Sequence, residues 1–586
     1  MKSKYYEAEL AYLREQGREF ARVFPSTAGF LAERSDDPDV ERLLEGFAFL
    51  ASRIRERVDD GMPEFAQQLG SILVPQLTRY IPSCAIIQFD PDARGLRTAT
   101  HVPRGAEVAG TSTDKTRCRF QTTQTTDILP LELLDVRYNK SNTRIEKVIL
   151  QFRVPQQGLG PAGDASIRLY MHGDIPFATT LRAWFLHHCV KLEVFAEKEP
   201  DGPAHGPVMA KVGQVRGKVT TPGFDLESRL LPERPLEHDA FASVVELFAL
   251  PQKFCFVDLP PLGALVQPEF ELHVTFDNPP ELPRRVARDD VRLNCVPVIN
   301  LFDTVSDPVR FEPLKPEGLV RTTDRTPTEL EVYDITKVVG SREGRRREYA
   351  AFSAYGASEA DTPHDDVYYV TRRVPSITDS GTDLYVALIT PRDAAPIEIP
   401  EVLSIDLLCS NRGAATTLAI GEINQTVRGS PVFVKFSNIT APTPPLYPHD
   451  DVELLWRLSA HVGLSRRGLE DAESLQRILR SYNFAIRFNA HQGRLTSLWI
   501  DAIREIKSRK LVRLYRGAPV TGTKTIVTFD ETEFGGTGEA VLFGEALSEV
   551  YARLVHVNSF NQLTMILAPS KREYKWPPKN GSLRLG

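Results

Sequence analysis

Apolar residues between Asp36 and Val58 recur at spacings of three and four, so Val40, Leu43, Leu44, Phe47, Leu50, Ile54 and Val58 share one face of a predicted amphipathic helix. Asp37 is placed to accept from free backbone N–H groups as the N-cap, and Pro38 suits the first helical position, where no N–H is needed. Asp39 and Glu41 put negative charge at the positive end of the helix dipole, and Arg53, Arg55 and Arg57 crowd the opposite end. The stretch is a well-started helix whose apolar face needs a cover, inside the chain or outside it. An earlier helix is predicted over 4–24, with Tyr6, Leu10, Leu13, Gly17, Phe20 and Phe24 on one face and Pro25 ending it. A third runs from Glu64 to Leu73, carries Phe65, Leu69 and Ile72, and is bracketed by Pro63 and Pro75. Three such helices predict a small helical region or one arm of an intermolecular bundle.

From Pro82 the period changes to two. Ile86-Ile87-Gln88-Phe89 reads as a strand, and Val102-Pro103-Arg104-Gly105 as a turn. Val148, Leu150, Phe152 and Val154 alternate, as do Ile167, Leu169 and Met171, and Val190, Leu192 and Val194. Phe270, Leu272, Val274 and Phe276 repeat the pattern, followed by Leu384, Val386 and Leu388, and by Val432, Val434 and Phe436. Short alternating segments with Gly/Pro punctuation predict antiparallel sheets with one packed face. No βαβ rhythm is evident, which argues against a Rossmann-like or barrel enzyme. Interruptions are a helical patch at 238–249, a charged exposed loop at 341–348 and a proline cluster at 441–448 that reads as an extended linker. Beyond it come helical stretches at 451–460 and 471–484, a strand Thr525–Phe529, a glycine turn and a helix from Glu539 to His556.

The predicted class is therefore α+β and multi-domain, with N-terminal amphipathic helices followed by several mainly antiparallel β-rich domains. The expected divisions are a helical region at 1–80, β-rich domains at 81–237 and 238–440, and a mixed α/β region at 441–586. A length of 586 residues accommodates about three to five domains. The formal net charge of -6 argues against broad nucleic-acid binding, which calls for a basic domain or stripe. The N-terminus lacks the apolar run of a signal peptide, and no uncharged apolar run reaches about 18 residues, so a cytoplasmic chain is expected. Six scattered cysteines show no metal or redox spacing and read as buried thiols in a reducing compartment.

The stretches that invite a chemical reading have simpler accounts. Gly535-Gly536-Thr537-Gly538 sits between a strand and a helix, but it lacks the lysine and spacing of a phosphate loop, and Glu539 would repel a phosphate. His187-His188-Cys189 offers three donors, yet adjacent side chains rarely converge on one ion and no second cluster completes a tetrahedron. Asp36, Asp37 and Asp39 begin like a calcium loop, and Pro38 with the helix behind it breaks the ligand spacing. No Gly-x-Ser-x-Gly elbow occurs, and Arg345-Arg346-Arg347 lies among glutamates without interleaved aromatics. No catalytic, cofactor-binding or metal residue is nominated.

With these residues in view, the chain resembles the TssF family (ImpG or VasA) of type VI secretion baseplate subunits. The resemblance begins in Tyr5-Tyr6-Glu7 with Glu9-Leu10 and Tyr12-Leu13-Arg14-Glu15, and is densest from Asp37 to Leu50. It continues through Pro63-Glu64-Phe65, Ile81-Pro82-Ser83, Val102-Pro103-Arg104-Gly105, the Phe248–Phe254 segment, Asn300-Leu301-Phe302, Asp324-Arg325 and Leu408-Cys409-Ser410-Asn411-Arg412. Pro442-Thr443-Pro444, Gly535-Gly536 and Asn558-Ser559-Phe560 extend it toward the C-terminus. Departures fall at Ala240–Leu247, at Ser410 in place of a threonine, and at Gly413-Ala414-Ala415.

The resemblance implies a scaffold, not an enzyme, with no cofactor. The implied partners are a TssG-like subunit, TssK-like subunits, a second copy of the chain, the VgrG spike, and sheath and tube proteins. It implies cytoplasmic docking at the inner membrane, with membrane contact only through partners and no nucleic acid. On this reading Val40, Leu43, Leu44, Phe47, Leu50 and Ile54 are candidate core or interface residues. The alternative from another class is a carbohydrate-binding or carbohydrate-processing multi-domain β protein, whose paired carboxylates need not be close in sequence.

Overall fold

The computed structural model of the protein describes residues 2–24, 38–91, 99–140, 144–154, 166–198, 208–232, 240–311, 317–323, 329–342, 345–352, 367–376, 381–389, 401–427, 429–431, 434–448, 469, 471–515 and 517–581. Among these, one compact unit ends at Pro75 and a larger one begins at Gln76.

The first unit contains α1 (Lys2–Val23) and α2 (Pro38–Leu73). The two shorter helices expected on either side of Pro63 are one helix of 36 residues. Proline removes one helical hydrogen bond and crowds one carbonyl, a local cost that the turns on both sides outlast. Asp36 and Asp37 lie outside the described residues, while Asp39 and Glu41 do occupy the first turn.

The larger unit is mainly antiparallel sheet, as the alternation predicts. A five-stranded sheet runs Val208–Gln214, Cys189–Lys198, Glu269–Asp277, Ile145–Arg153, Glu132–Asn139. In it Leu272 lies opposite both Leu150 and Val194, so the alternating residues of three strands meet on one buried face. A six-stranded sheet runs Ile423–Thr426, Glu107–Thr111, Arg117–Thr122, Cys295–Ile299, Cys84–Asp90, Lys435–Asn438. A three-stranded sheet joins Phe256–Leu259, Ile167–Met171 and Val291–Leu293. These sheets take strands from both sides of position 237, so the expected boundary there cuts through hydrogen-bonded partners.

An eight-stranded sheet is built on Glu401–Ser410 and Glu331–Arg342. Most of the charged stretch expected as a loop at 341–348 is strand: Glu331–Arg342 and Arg345–Ala351 pair as a hairpin, with Arg347 over the Tyr349 ring, while residues 343 and 344 lie outside the described residues. The proline cluster is extended but docked, because Leu446 and Ile81 exchange backbone hydrogen bonds and Thr443 N–H donates to the Cys84 carbonyl. The helical stretch expected at 451–460 lies outside the described residues.

The C-terminal part corrects the expectation that βαβ units are absent. Ala518–Asp530 and Phe560–Ala568 are parallel neighbours, and a helix over Thr537–Arg553 joins them. Ile503–Tyr515 pairs antiparallel on the other side of Ala518–Asp530. Helices α3 (Ile175–Ala183), α4 (Ala242–Ala249), α5 (Ala472–Ser481), α6 (Ala485–Phe488) and α7 (Ala490–Asp501) precede α8 (Thr537–Arg553).

Candidate functional site

The first unit presents much of its described apolar surface outward. Glu41, Leu44, Ala48, Ser52 and Arg55 lie along one side of α2, and of these Ala48 and Ser52 are buried. Two pairs tie that side to α1, Arg14–Glu41 at 2.9 Å and Arg55–Glu9 at 2.6 Å. Small residues where the helices meet allow close approach, and Leu44 is half-buried beside them. The remaining predicted residues point away: Leu43 is 74% exposed, Phe47 61%, Leu50 62% and Ile54 66%. The side chain of Val40 lies outside the described set. Phe49 on α2, Tyr12, Phe20 and Val23 on α1, and Phe24 just beyond α1 add to the exposed apolar surface. Of the residues expected as core or interface, Leu44 lies on the side that packs on α1, while Leu43, Phe47, Leu50 and Ile54 face outward. The signal for that division is the small pair Ala48 and Ser52, one helical turn apart.

A contiguous exposed apolar patch on a soluble domain marks a contact surface, and a long helix with an i, i+3, i+4 stripe presents it in the form that completes a helical bundle.

In the larger unit, several residues that carry the family resemblance, together with neighbours they pack against, act as internal pins. Asn300 donates from Nδ2 to the Arg119 carbonyl at 2.6 Å and to Asn411 Oδ1 at 2.9 Å, and Asn411 N–H returns a bond to Asn300 Oδ1 at 2.7 Å. Arg412 follows in a left-handed conformation (φ 48°), and its Nε donates to the Leu330 carbonyl. Glu331, buried, accepts from Thr382 through N–H and hydroxyl and from the Tyr447 hydroxyl at 2.7 Å. Tyr80 stacks on Tyr447 and shares a 3.0 Å hydrogen bond with Ser410. Lys253, from the Phe248–Phe254 segment, is buried against Glu246 and the Gly223 carbonyl. Burial holds its ammonium below the usual lysine range, and Glu246 opposes that shift.

The stretches with a chemical appearance resolve into packing. His187 meets Tyr574 and Trp576 edge to face, and burial lowers its pKa to about 4. His188 Nδ1 faces the Asp277 carbonyl, and Cys189 begins a strand. Among the described residues no three His, Cys, Asp or Glu side chains are grouped to hold a metal ion. Burial pushes the thiols of Cys255 and Cys409 up to about 12 and that of Cys189 to about 11, away from the nucleophilic thiolate. No helix among the described residues is long and apolar enough to cross a membrane.

The Gly535–Gly538 turn has a structural role. Gly538 is packed so tightly on α3 that a Cβ there would lie 2.1 Å from Thr180 N. Glu539 occupies the entrance of α8, where Oε2 accepts from Gly535 N–H at 2.9 Å and Trp499 Nε1 at 3.0 Å. Burial raises its pKa against both hydrogen bonds. A raised carboxyl means that ionisation costs folded stability; the cost is absent below the ordinary value of 4.5 and grows as pH rises through it toward the folded value. Glu539→Gln keeps an oxygen for both donors, so it should raise the melting temperature near pH 7.5 and leave it unchanged near pH 4, read by calorimetry at the two pH values.

An outward helical stripe on one unit, and motif residues spent on pinning the other, define a scaffold subunit of a protein assembly. The family model described as "Type VI secretion system, TssF" matches residues 2–583, and the chain belongs to that family. It is 27% identical to the type VI secretion system component TssF1 of Pseudomonas aeruginosa over 99% of this chain and 98% of that relative. A solved chain of the type VI secretion TssK-TssF-TssG baseplate subcomplex superposes with a TM-score of 0.74 at 28% identity, covering 93% of this chain and 99% of the other. A chain of a type VI baseplate complex gives a TM-score of 0.59 at 27% identity, with both chains fully covered. These relatives lend no support to the carbohydrate-protein alternative.

Proposed function

We propose that this chain is a structural subunit of a type VI secretion baseplate wedge, joining a TssG-like subunit, TssK-like subunits and a second copy of itself. The observation that carries the reading is the stripe of Leu43, Phe47, Leu50 and Ile54, solvent-facing on a 36-residue helix. The solved subcomplex containing TssK, TssF and TssG supports the first two partners. The same family reading extends to the VgrG spike, the sheath and tube, and cytoplasmic docking at the inner membrane, with membrane contact only through partners. In this role the chain contributes shape and contacts rather than catalysis. Co-expression with a TssG-like partner should give one species on size exclusion. Separate elution of the two chains at micromolar concentration would overturn the assignment.

A further inference from the structure

The hairpin of Ile503–Tyr515 and Ala518–Asp530 reaches beyond its sheet. Phe560–Ala568 pairs with the second strand only over Thr523–Asp530; Phe560 packs against Gly522 and the Ser559 hydroxyl donates to the Thr521 carbonyl, and from Val512 and Thr521 outward no third strand joins the pair among the described residues. A lone two-stranded hairpin is marginal in water. Ile503–Tyr515 is also the edge of its sheet, and among the described residues no strand pairs its outer side. Val512 and Leu514 lie on the same side of the strand as buried Ile506, beyond the end of the core, and are 63% and 73% exposed. The opposite side carries Lys507, Arg509 and Arg513, with Lys524 directly across from Arg509. Like charges directly opposite destabilise a strand pair. Among the described residues no ion pair joins Arg509, Arg513 or Lys524 to a carboxylate; only Lys507 has one, Glu505 at 2.7 Å.

We propose that this edge is a docking site for an extended acidic segment of a different protein, which adds a strand to the sheet. Its carboxylates would sit beside Arg509 and Arg513 and its apolar side chains beside Val512 and Leu514. An open edge offers unpaired N–H and C=O groups as a template, and charge decides what it accepts. The same strand of a second copy is excluded as occupant, because pairing this strand with itself sets one cationic row against another. An acidic strand relieves the Arg509–Lys524 repulsion and covers the two exposed aliphatic residues at once. The site lies in the larger unit and does not depend on the helical stripe.

The test uses the full chain and fluorescent nine-residue peptides in which glutamate alternates with valine, isoleucine or phenylalanine. Anisotropy should show salt-sensitive binding by at least one. The same peptide with lysine for glutamate, or with alternate backbone amides methylated, should bind at least tenfold more weakly. Arg509→Glu with Arg513→Glu should weaken the acidic peptide about tenfold, the scale of two exposed ion pairs, and favour the lysine peptide instead. No binding across the panel, equal binding of the methylated peptide, or indifference to the charge reversal would overturn the proposal. The methylation comparison is made on the unaltered chain, so it stands even if the double variant folds poorly. Binding of phosphatidylglycerol vesicles or duplex DNA that the reversal abolishes, without peptide binding, would assign the cations to those ligands and equally overturn it.

Discussion

A chain carrying Leu43→Asp, Phe47→Asp and Leu50→Asp is expected to fold as the parent does and to lose its complex with a TssG-like partner. All three side chains are more than half exposed, so the free chain loses little: about 0.5 kcal/mol per site from helix propensity and surface context. At an interface the same side chains would be buried apolar anchors, each worth about 2 kcal/mol or more, and placing a carboxylate there adds a desolvation cost. The complex should therefore weaken by at least about a thousandfold, read by co-elution and by titration calorimetry. Leu44→Asp is the internal contrast. It sits on the side facing α1 and should lower the melting temperature of the free chain. If the triple variant still forms the complex, the stripe is not the contact surface.

Glu545→Ala should be the most damaging single change in the larger unit. Arg182 of α3 is fully buried, and its Nη2 lies 2.6 Å from Glu545 Oε2 on α8. The same nitrogen also meets Thr221, while Nε and Nη1 find no acceptor among the described residues. Removing the carboxylate leaves a guanidinium stranded between two helices, at a cost of about 3–5 kcal/mol. Arg182→Met together with Glu545→Leu should recover most of that loss, because it removes both charges and keeps the volume. Urea unfolding of the parent chain and the two variants checks the ordering. If the double variant is no more stable than Glu545→Ala, charge burial is not the reason.

Much of the β architecture was legible because strands such as Ile145–Arg153 alternate between a buried face and a more exposed one. Val148, Leu150 and Phe152 are fully buried, and their alternation says so in the sequence. The hairpin through Arg345 was not legible, since a strand lying on solvent carries the charges of a loop. The parallel pair at the C-terminus was half legible: the strand before α8 and the helix itself stand out in the sequence, whereas Phe560–Ala568, whose Phe560-Asn561 and Leu563-Thr564-Met565 are buried without strict alternation, does not. Docking of the proline cluster depends on Thr443 and Leu446 meeting residues more than 350 positions earlier, which no local pattern encodes. For the candidate surface, spacing at threes and fours located the stripe. Which edge of it turns inward was decided by where α1 could come close, at Ala48 and Ser52.

The six-stranded sheet has a consequence for how the chain is made. Its strand Cys84–Asp90 lies between Cys295–Ile299 and Lys435–Asn438. Translation proceeds at about 5–20 residues per second, so that strand waits roughly 20–70 seconds for its last neighbour after leaving the ribosome. During that interval an apolar strand stands with an open edge while the helical stripe upstream is already formed and uncovered. A nascent chain of this kind is a natural client for chaperones, and early access to its partner subunit would shorten the time that both surfaces spend bare.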